Sequence, residues 1–337
     1  EIKMCAAVTK EMMSLIVAST KSHLIYCALK LDIVNHLYKQ PMDAKQLSVI
    51  TKTKPDFLYR FLRSLCSLRI LQENEKRIFS VTELGSTLKS DTNNSLNNYL
   101  QLMEDESIQK SLLHLDHSIR TGQPSFEHLY GTKYYEFIRK NADKGRVFDS
   151  AMQEFENIKS VTAEYDYTEF KHIIDIGGGN GHFLISILER TPNATGMVFE
   201  LEAGVKNAKV EIKKRNIEKR CTTKVGNYFE SIPSGGDCYI MKHILHNLED
   251  DELVKVLSNV RKAMKKGSKL LIMEQIIFDL NGPDPKTEFD MLMLVLYGGK
   301  SRTKDEIEEI CATVMLKLQR CVELKESGEI IMEFTAV

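Results

Sequence analysis

Apolar positions change their spacing along the chain. Through about residue 90 they recur at helical intervals. Ala28, Leu31, Val34 and Leu37 lie three apart, which predicts one face of a helix that Pro41 ends. Asp43 is placed to cap a short helix carrying Leu47 and Val49. Pro55 suits the first turn of a third helix, with Leu58, Phe61, Leu62 and Leu65 on its inner face. The stretch LQENEKRIFSVTELG then reads as strand, polar turn, strand. Three helices and a hairpin over residues 1–90 make a winged-helix pattern. Such modules often bind DNA through the third helix, but that helix offers only Arg60 and Arg63, so a platform for dimerisation or substrate cover is the expected role.

Residues 91–165 read as helical, with Gly122, Pro124 and Gly131 as turn markers. Phe148, Met152 and Phe155 fall at spacings of four and three, either as core or as an aromatic and thioether wall for a flat ligand. From Lys171 the period switches. HIIDIGG is a strand entering a glycine turn, HFLISILERTP is helical, and TGMVFELE is a strand again. CTTKVGNYF, GDCYIMKHILHN, the helix DELVKVLSNVRKAMKKG and the strand SKLLIMEQII follow. Strands alternating with helices over residues 166–337 predict an α/β, Rossmann-like domain with a mostly parallel sheet. Two closing strands around Glu326 to Gly328 predict a terminal antiparallel hairpin.

The sequence IDIGGGNGHF puts bare backbone at a strand-to-helix crossing, where open α/β sheets bind ligands. Asp175 precedes the turn and can hold it or reach a ligand amine. Glu200 ends the next strand, about 25 residues on, where a carboxylate can accept hydrogen bonds from ribose hydroxyls. Two adenosine-bearing ligands compete. Dinucleotides favour G-x-G-x-x-G, whereas Gly177, Gly179 and Gly181 give G-x-G-x-G and His182 stands where the last glycine is wanted. S-adenosylmethionine needs no pyrophosphate seat, and its cationic groups suit a loop with carboxylates nearby, so the pattern leans toward it.

Lys242, His243 and His246 follow the strand DCYIM, at the end that faces the cleft. A neutral His246 can take a proton from a hydroxyl. On a helix, His243 and His246 would share a face, but that spacing alone makes no metal site. Glu274 ends the neighbouring strand LLIME, where a carboxylate beside His246 would fix its tautomer.

Charge narrows the function classes. The 46 basic and 47 acidic residues nearly cancel, which gives no whole-chain attraction to nucleic acid or anionic lipid. Seven cysteines without a CxxC pair predict reduced thiols in a cytoplasmic protein. No apolar run is long enough to span a bilayer, and EIKMCAAVTK lacks a signal-peptide pattern.

Taken in order, ALKLDIVNHLYKQPMDAKQLS, IRTGQPSFEHLYG, FDSAM, DIGGGNG, FELE, GNYF, MKHILHNLEDDE, MEQII and GGKSRTKDEI resemble the S-adenosylmethionine-dependent O-methyltransferases of the plant caffeic-acid and animal hydroxyindole type, which include bacterial members. The similarity runs nearly end to end. It implies methyl transfer from S-adenosyl-L-methionine to a hydroxyl of a small aromatic acceptor, releasing S-adenosyl-L-homocysteine, without a metal and in a homodimer formed by the N-terminal domain. It sets the donor against Gly177 and Gly179, Glu200 at the ribose, Leu201 beside the adenine, Asn227 and Tyr228 at the adenine edge, and Lys242 beside the donor. His246 matches the general base and Glu274 one of two carboxylates that bracket it. Phe126, Phe148, Met152, Phe155, Asn247 and Leu296 are assigned to the acceptor side.

The chain departs from the family pattern at several places. Asn227 and Asn247 stand where aspartate is usual, Leu248 replaces a tryptophan, and the proline of the usual DLP is absent from Glu200–Leu201–Glu202. Ser301 occupies the place of the second carboxylate. Ser301 and Asn247 keep open a non-methylating reaction that still uses the donor, and a base beside the donor could equally serve an N-methyl acceptor. A non-catalytic winged-helix regulator is the more distant alternative.

Overall fold

The computed structural model describes residues 6–90, 92, 95–155, 162–277, 284, 286–325 and 328–337. The chain divides into two units, one of residues 1–110 with 135–156, the other of residues 111–134 with 157–337. The middle stretch of the sequence is thus shared between them.

In the first unit the helix expected to run from Ala28 to Leu37 is two helices, Ala18–Lys30 and Ile33–Lys39. The chain breaks at Asp32, whose φ of 54° lies in the left-handed region. Ala28, Val34 and Leu37 are nonetheless all buried, so the apolar spacing marked the core face correctly and missed the kink. The cap at Asp43 forms as a full capping box with Gln46 on the helix Ala44–Thr51, and Pro55 opens the helix Pro55–Ser67. Strands β1 (Leu71–Glu73) and β2 (Phe79–Val81) pair antiparallel as expected. Leu47, Leu58, Leu62, Leu65 and Phe79 close one hydrophobic core. On the helix Ala142–Phe155, Glu154 accepts hydrogen bonds from Asn98 Nδ2 and Tyr99 N and joins it to the helix Asn97–Met103.

The second unit is a seven-stranded sheet of order β5-β4-β3-β6-β7-β9-β8. Its strands are β3 (His172–Ile176), β4 (Thr195–Glu200), β5 (Cys221–Val225), β6 (Cys238–Lys242), β7 (Lys269–Glu274), β8 (Leu316–Glu323) and β9 (Ile330–Ala336). Five strands run parallel. β9 inserts antiparallel between β7 and β8, forming the terminal hairpin. Glu326 and Ser327, in the connection proposed from sequence, lie outside the described residues. Because side chains alternate along a strand, the sheet buries both faces. Ile174, Ile176, Tyr239, Met241 and Ile272 build one core, and Ile173, Val198, Ile240, Leu271 and Met273 build the other. Strand order reverses between β3 and β6, so their C-terminal ends open a crevice. No single described helix is long and apolar enough to cross a membrane.

Candidate active site

Two turns frame the crevice. The first leaves β3. Asp175 is 2% exposed, and a side chain at Gly178 would fall on its carboxylate. Gly177 has φ +66°, and a Cβ there would stand 2.5 Å from Ile244 Cδ1 with the Tyr228 ring just beyond. At Gly179 nothing lies within 4 Å of the position a Cβ would take, so its backbone is open to a ligand. Glu200 reaches this turn from β4: its carboxylate accepts from Gly179 N at 3.2 Å and from Leu201 N at 2.6 Å. Leu201 is 37% exposed at the start of the helix Glu202–Lys214. Asn227 shapes the turn after β5 through its Oδ1, which accepts from Phe229 N at 3.0 Å. Tyr228 is held by its carbonyl, which accepts from Asn259 Nδ2 at 3.0 Å.

The second turn leaves β6. His243 takes φ +55° and directs the chain into a 3₁₀ turn, Leu245–Asn247, before the helix Asp250–Ala263. His243 and His246 therefore do not share a face of an α-helix, as their spacing suggested; their ring centroids lie 5.8 Å apart at 47°. His246 Nδ1 is 2.7 Å from Glu274 Oε2, and Glu274 Oε1 accepts from Leu245 N at 2.8 Å. The Phe289 ring stands edge-on to the imidazole at 5.4 Å. Burial pushes the Glu274 carboxyl up, but the His246 charge and hydrogen bond, His243 and the Leu245 amide more than offset it and hold it below the ordinary carboxylate range.

Arg302 completes this turn, and nothing in the pattern of apolar residues marked it. Its side chain is 1% exposed. The guanidinium donates to the carbonyls of Leu245 at 2.8 Å and Leu248 at 2.7 Å, on either side of His246, and to Asp250 Oδ1 at 2.9 and 2.6 Å. The sequence signal was the glycine pair ahead of it: a Cβ on Gly299 would come within 3.0 Å of Asn247 Cα. Ser301, in the place of the second carboxylate, is 3% exposed and donates its N–H to Asp290 Oδ1 at 2.6 Å. A small pocket is lined by His246, Glu274, Ser301 and Arg302, among others.

The residues assigned to the acceptor side fall in several environments. In the second unit, Phe126 is fully buried against Tyr130 and Tyr134, and Leu296 is 4% exposed on the helix Lys286–Tyr297. Asn247 Nδ2 donates to the His243 carbonyl at 3.2 Å. In the first unit, Phe148 packs edge-on to Tyr135, and Met152 is 38% exposed. The side chain of Phe155 lies outside the described residues. Among the described residues, no group of three or more His, Cys, Asp or Glu is arranged to hold a metal ion.

Comparison with known proteins decides what this crevice belongs to. Residues 112–314 match the model of the O-methyltransferase domain, and residues 13–91 match the O-methyltransferase dimerisation domain. The chain belongs to the O-methyltransferase family. It is 32% identical over 298 residues to the phenazine O-methyltransferase PhzM of Lysobacter antibioticus, covering 88% of this chain and 87% of that one. The solved structure of the mitomycin 7-O-methyltransferase MmcR superposes with a TM-score of 0.91 at 27% identity, covering 98% of each chain. A third relative, the O-methyltransferase NcsB1 from neocarzinostatin biosynthesis, was solved with S-adenosylmethionine and 2-hydroxy-5-methyl naphthoic acid; it is 25% identical with a TM-score of 0.81, covering 94% of this chain and 96% of that one. This methyltransferase is therefore an S-adenosylmethionine-dependent enzyme with the expected α/β core, terminal hairpin and N-terminal dimerisation domain. A non-catalytic regulator is set aside. The bare backbone at Gly177 to Gly179, with the Glu200 carboxylate bound across it, fits the adenosyl donor.

Proposed function

We propose that this enzyme methylates a hydroxyl oxygen on a small, flat, aromatic acceptor, with His246 as the general base. The observation that carries the reading is the His246–Glu274 pair. A carboxylate 2.7 Å from Nδ1 accepts that ring N–H, which leaves Nε2 as the proton acceptor. Glu274 also stabilises the imidazolium that forms once the proton has moved. When bound, the donor supplies a methyl group on a cationic sulfur that is already activated for displacement. The chain's own work is to orient the acceptor oxygen and remove its proton, which needs no covalent intermediate on the protein.

Gly177, Gly179 and Glu200 would hold the donor, with Asp175, Leu201, Asn227, Tyr228 and Lys242 around it. The relatives named above act on phenazine and mitomycin compounds, and NcsB1 was crystallised with a naphthoic acid, which supports a fused-ring phenolic acceptor here. The test is His246→Gln, assayed by mass shift on phenolic and fused-ring acceptors with S-adenosylhomocysteine binding as the control. Turnover is expected to fall about 10²- to 10⁴-fold while binding is retained. Retained turnover removes His246 from the role of base.

We also infer a homodimer through the N-terminal domain. Met12, Met13, Leu15 and Ile16 are more than half exposed on the helix Ala6–Ile16, a larger apolar face than a lone surface helix usually presents. A second copy would cover it. A monomer by light scattering at micromolar concentration is the outcome that refutes this.

A further inference from the structure

A second histidine–carboxylate pair stands at the same end of the sheet, and the proton transfer at His246 does not use it. His243 Nε2 lies 2.5 Å from Glu329 Oε1, and Glu329 is 5% exposed at the entry to β9. The other ring nitrogen, Nδ1, is 3.4 Å from Lys242 Nζ. An ammonium only donates, so Nδ1 must be the acceptor and Nε2 must carry the proton given to Glu329. The three side chains make a directed chain from a buried carboxylate, through a neutral imidazole, to a cation. The backbone is shaped around it: His243 holds φ +55°, in the left-handed region that disfavours a non-glycine residue. Its N–H donates to the Met273 carbonyl at 3.0 Å. A left-handed histidine kept at the end of a core strand points to a function for its ring.

Lys242 ends β6 beside the glycine turn, with its ammonium 5.6 Å from the Phe183 ring centroid. The proposed donor carries a sulfonium, an ammonium and one carboxylate. Among the donor's charged groups, a lysine is favourable only beside the carboxylate, since it would repel the two cationic ones. We infer that Glu329 and His243 are positioning residues for Lys242, aiming its ammonium at the carboxylate of the donor's amino-acid tail. The inference rests on the donor-site reading given above. It assigns the two pairs different tasks: His246–Glu274 serves the acceptor, and His243–Glu329 serves the donor.

The test compares two ligands. S-adenosylhomocysteine has the amino-acid tail; 5′-methylthioadenosine keeps the adenosine and sulfur but lacks it. His243→Asn retains a residue that tolerates the left-handed backbone and cannot bridge Glu329 to Lys242. By calorimetry, this variant is expected to bind S-adenosylhomocysteine roughly tenfold more weakly while its affinity for methylthioadenosine stays within about twofold. Glu329→Gln is expected to show the same selective loss at smaller size. The double variant should lose about as much as His243→Asn alone, because both act through one lysine. Equal weakening of both ligands, or no weakening in either variant, overturns the relay. If His243→Asn does not fold, Glu329→Gln decides by the same comparison. If the unaltered protein binds neither ligand, the donor-site reading itself fails; if it binds both and the variants match it, only the relay fails.

Discussion

The turn after β3 is shaped by side chains that are missing, whereas the turn after β6 is shaped by side chains arriving from distant parts of the chain. At Gly177 a Cβ would meet both a left-handed backbone and the Ile244 side chain, so the position must stay bare, and at Gly179 nothing lies within 4 Å of where a Cβ would stand. Around His246, Glu274 comes from β7 and Arg302 from beyond the helix Lys286–Tyr297, and together they hold the ring and three backbone groups of the turn. A turn that must admit a ligand is kept empty. A turn that must aim one nitrogen is tied down by groups whose own polar atoms are satisfied.

Arg302→Met should break this contrast most visibly. It strips hydrogen bonds from the carbonyls of Leu245 and Leu248. A stability loss of about 3 kcal/mol is expected, read as a lower thermal midpoint. Turnover should fall further than S-adenosylhomocysteine affinity, because the damage is on the base side. Equal loss of both would mean that the two turns are not independent.

Gly177→Ala is the opposite probe. Strain at positive φ and the contact with Ile244 should weaken S-adenosylhomocysteine binding by about tenfold, equivalent to about 1–2 kcal/mol. The acceptor KM should move little. A variant that binds the product normally would show that the turn tolerates a methyl group and that its openness is not required.

The smallest effect concerns acid stability. The Glu274 carboxyl lies below its ordinary value of 4.5 in the folded protein, so on acidification the unfolded chain takes up this proton first. The stabilisation is fully present above that value and is lost as pH falls through the lower, folded one. Glu274→Gln removes the contribution, so its thermal midpoint should fall less steeply than that of the unaltered enzyme below about pH 4.5. Parallel curves would show that the His246–Glu274 pair does not contribute through charge.

How much of this was legible before the structure depends on sequence distance. The glycine turn, the alternation of strands and helices and the helix cap at Asp43 are local, and each was readable from a few neighbouring residues. The His246–Glu274 pairing was legible because Glu274 ends β7 and His246 follows the end of the adjacent parallel strand β6, so the topology that places one brings the other near. The break at Asp32 was hidden, because the apolar spacing continues across it. Arg302 and Glu329 were hidden for another reason. Their site partners lie more than 50 residues away in the chain, and apart from the glycine pair ahead of Arg302 nothing in these stretches marks the buried carbonyl or imidazole each will meet. Asp290 was hidden too, although it is close in the chain to Ser301; its contact with the Ser301 N–H puts an acid near the position where the family pattern has a carboxylate and this chain has serine.

Glu274 uses one oxygen on the imidazole and the other on the main-chain amide of Leu245, one residue before it. The amide proton of Leu245 therefore shares an anion with the base. In solution its nuclear resonance and its exchange with deuterated solvent would register every change in the ionisation of that anion. A silent backbone position thereby becomes a gauge of whether the base is seated, legible even when no acceptor molecule is known.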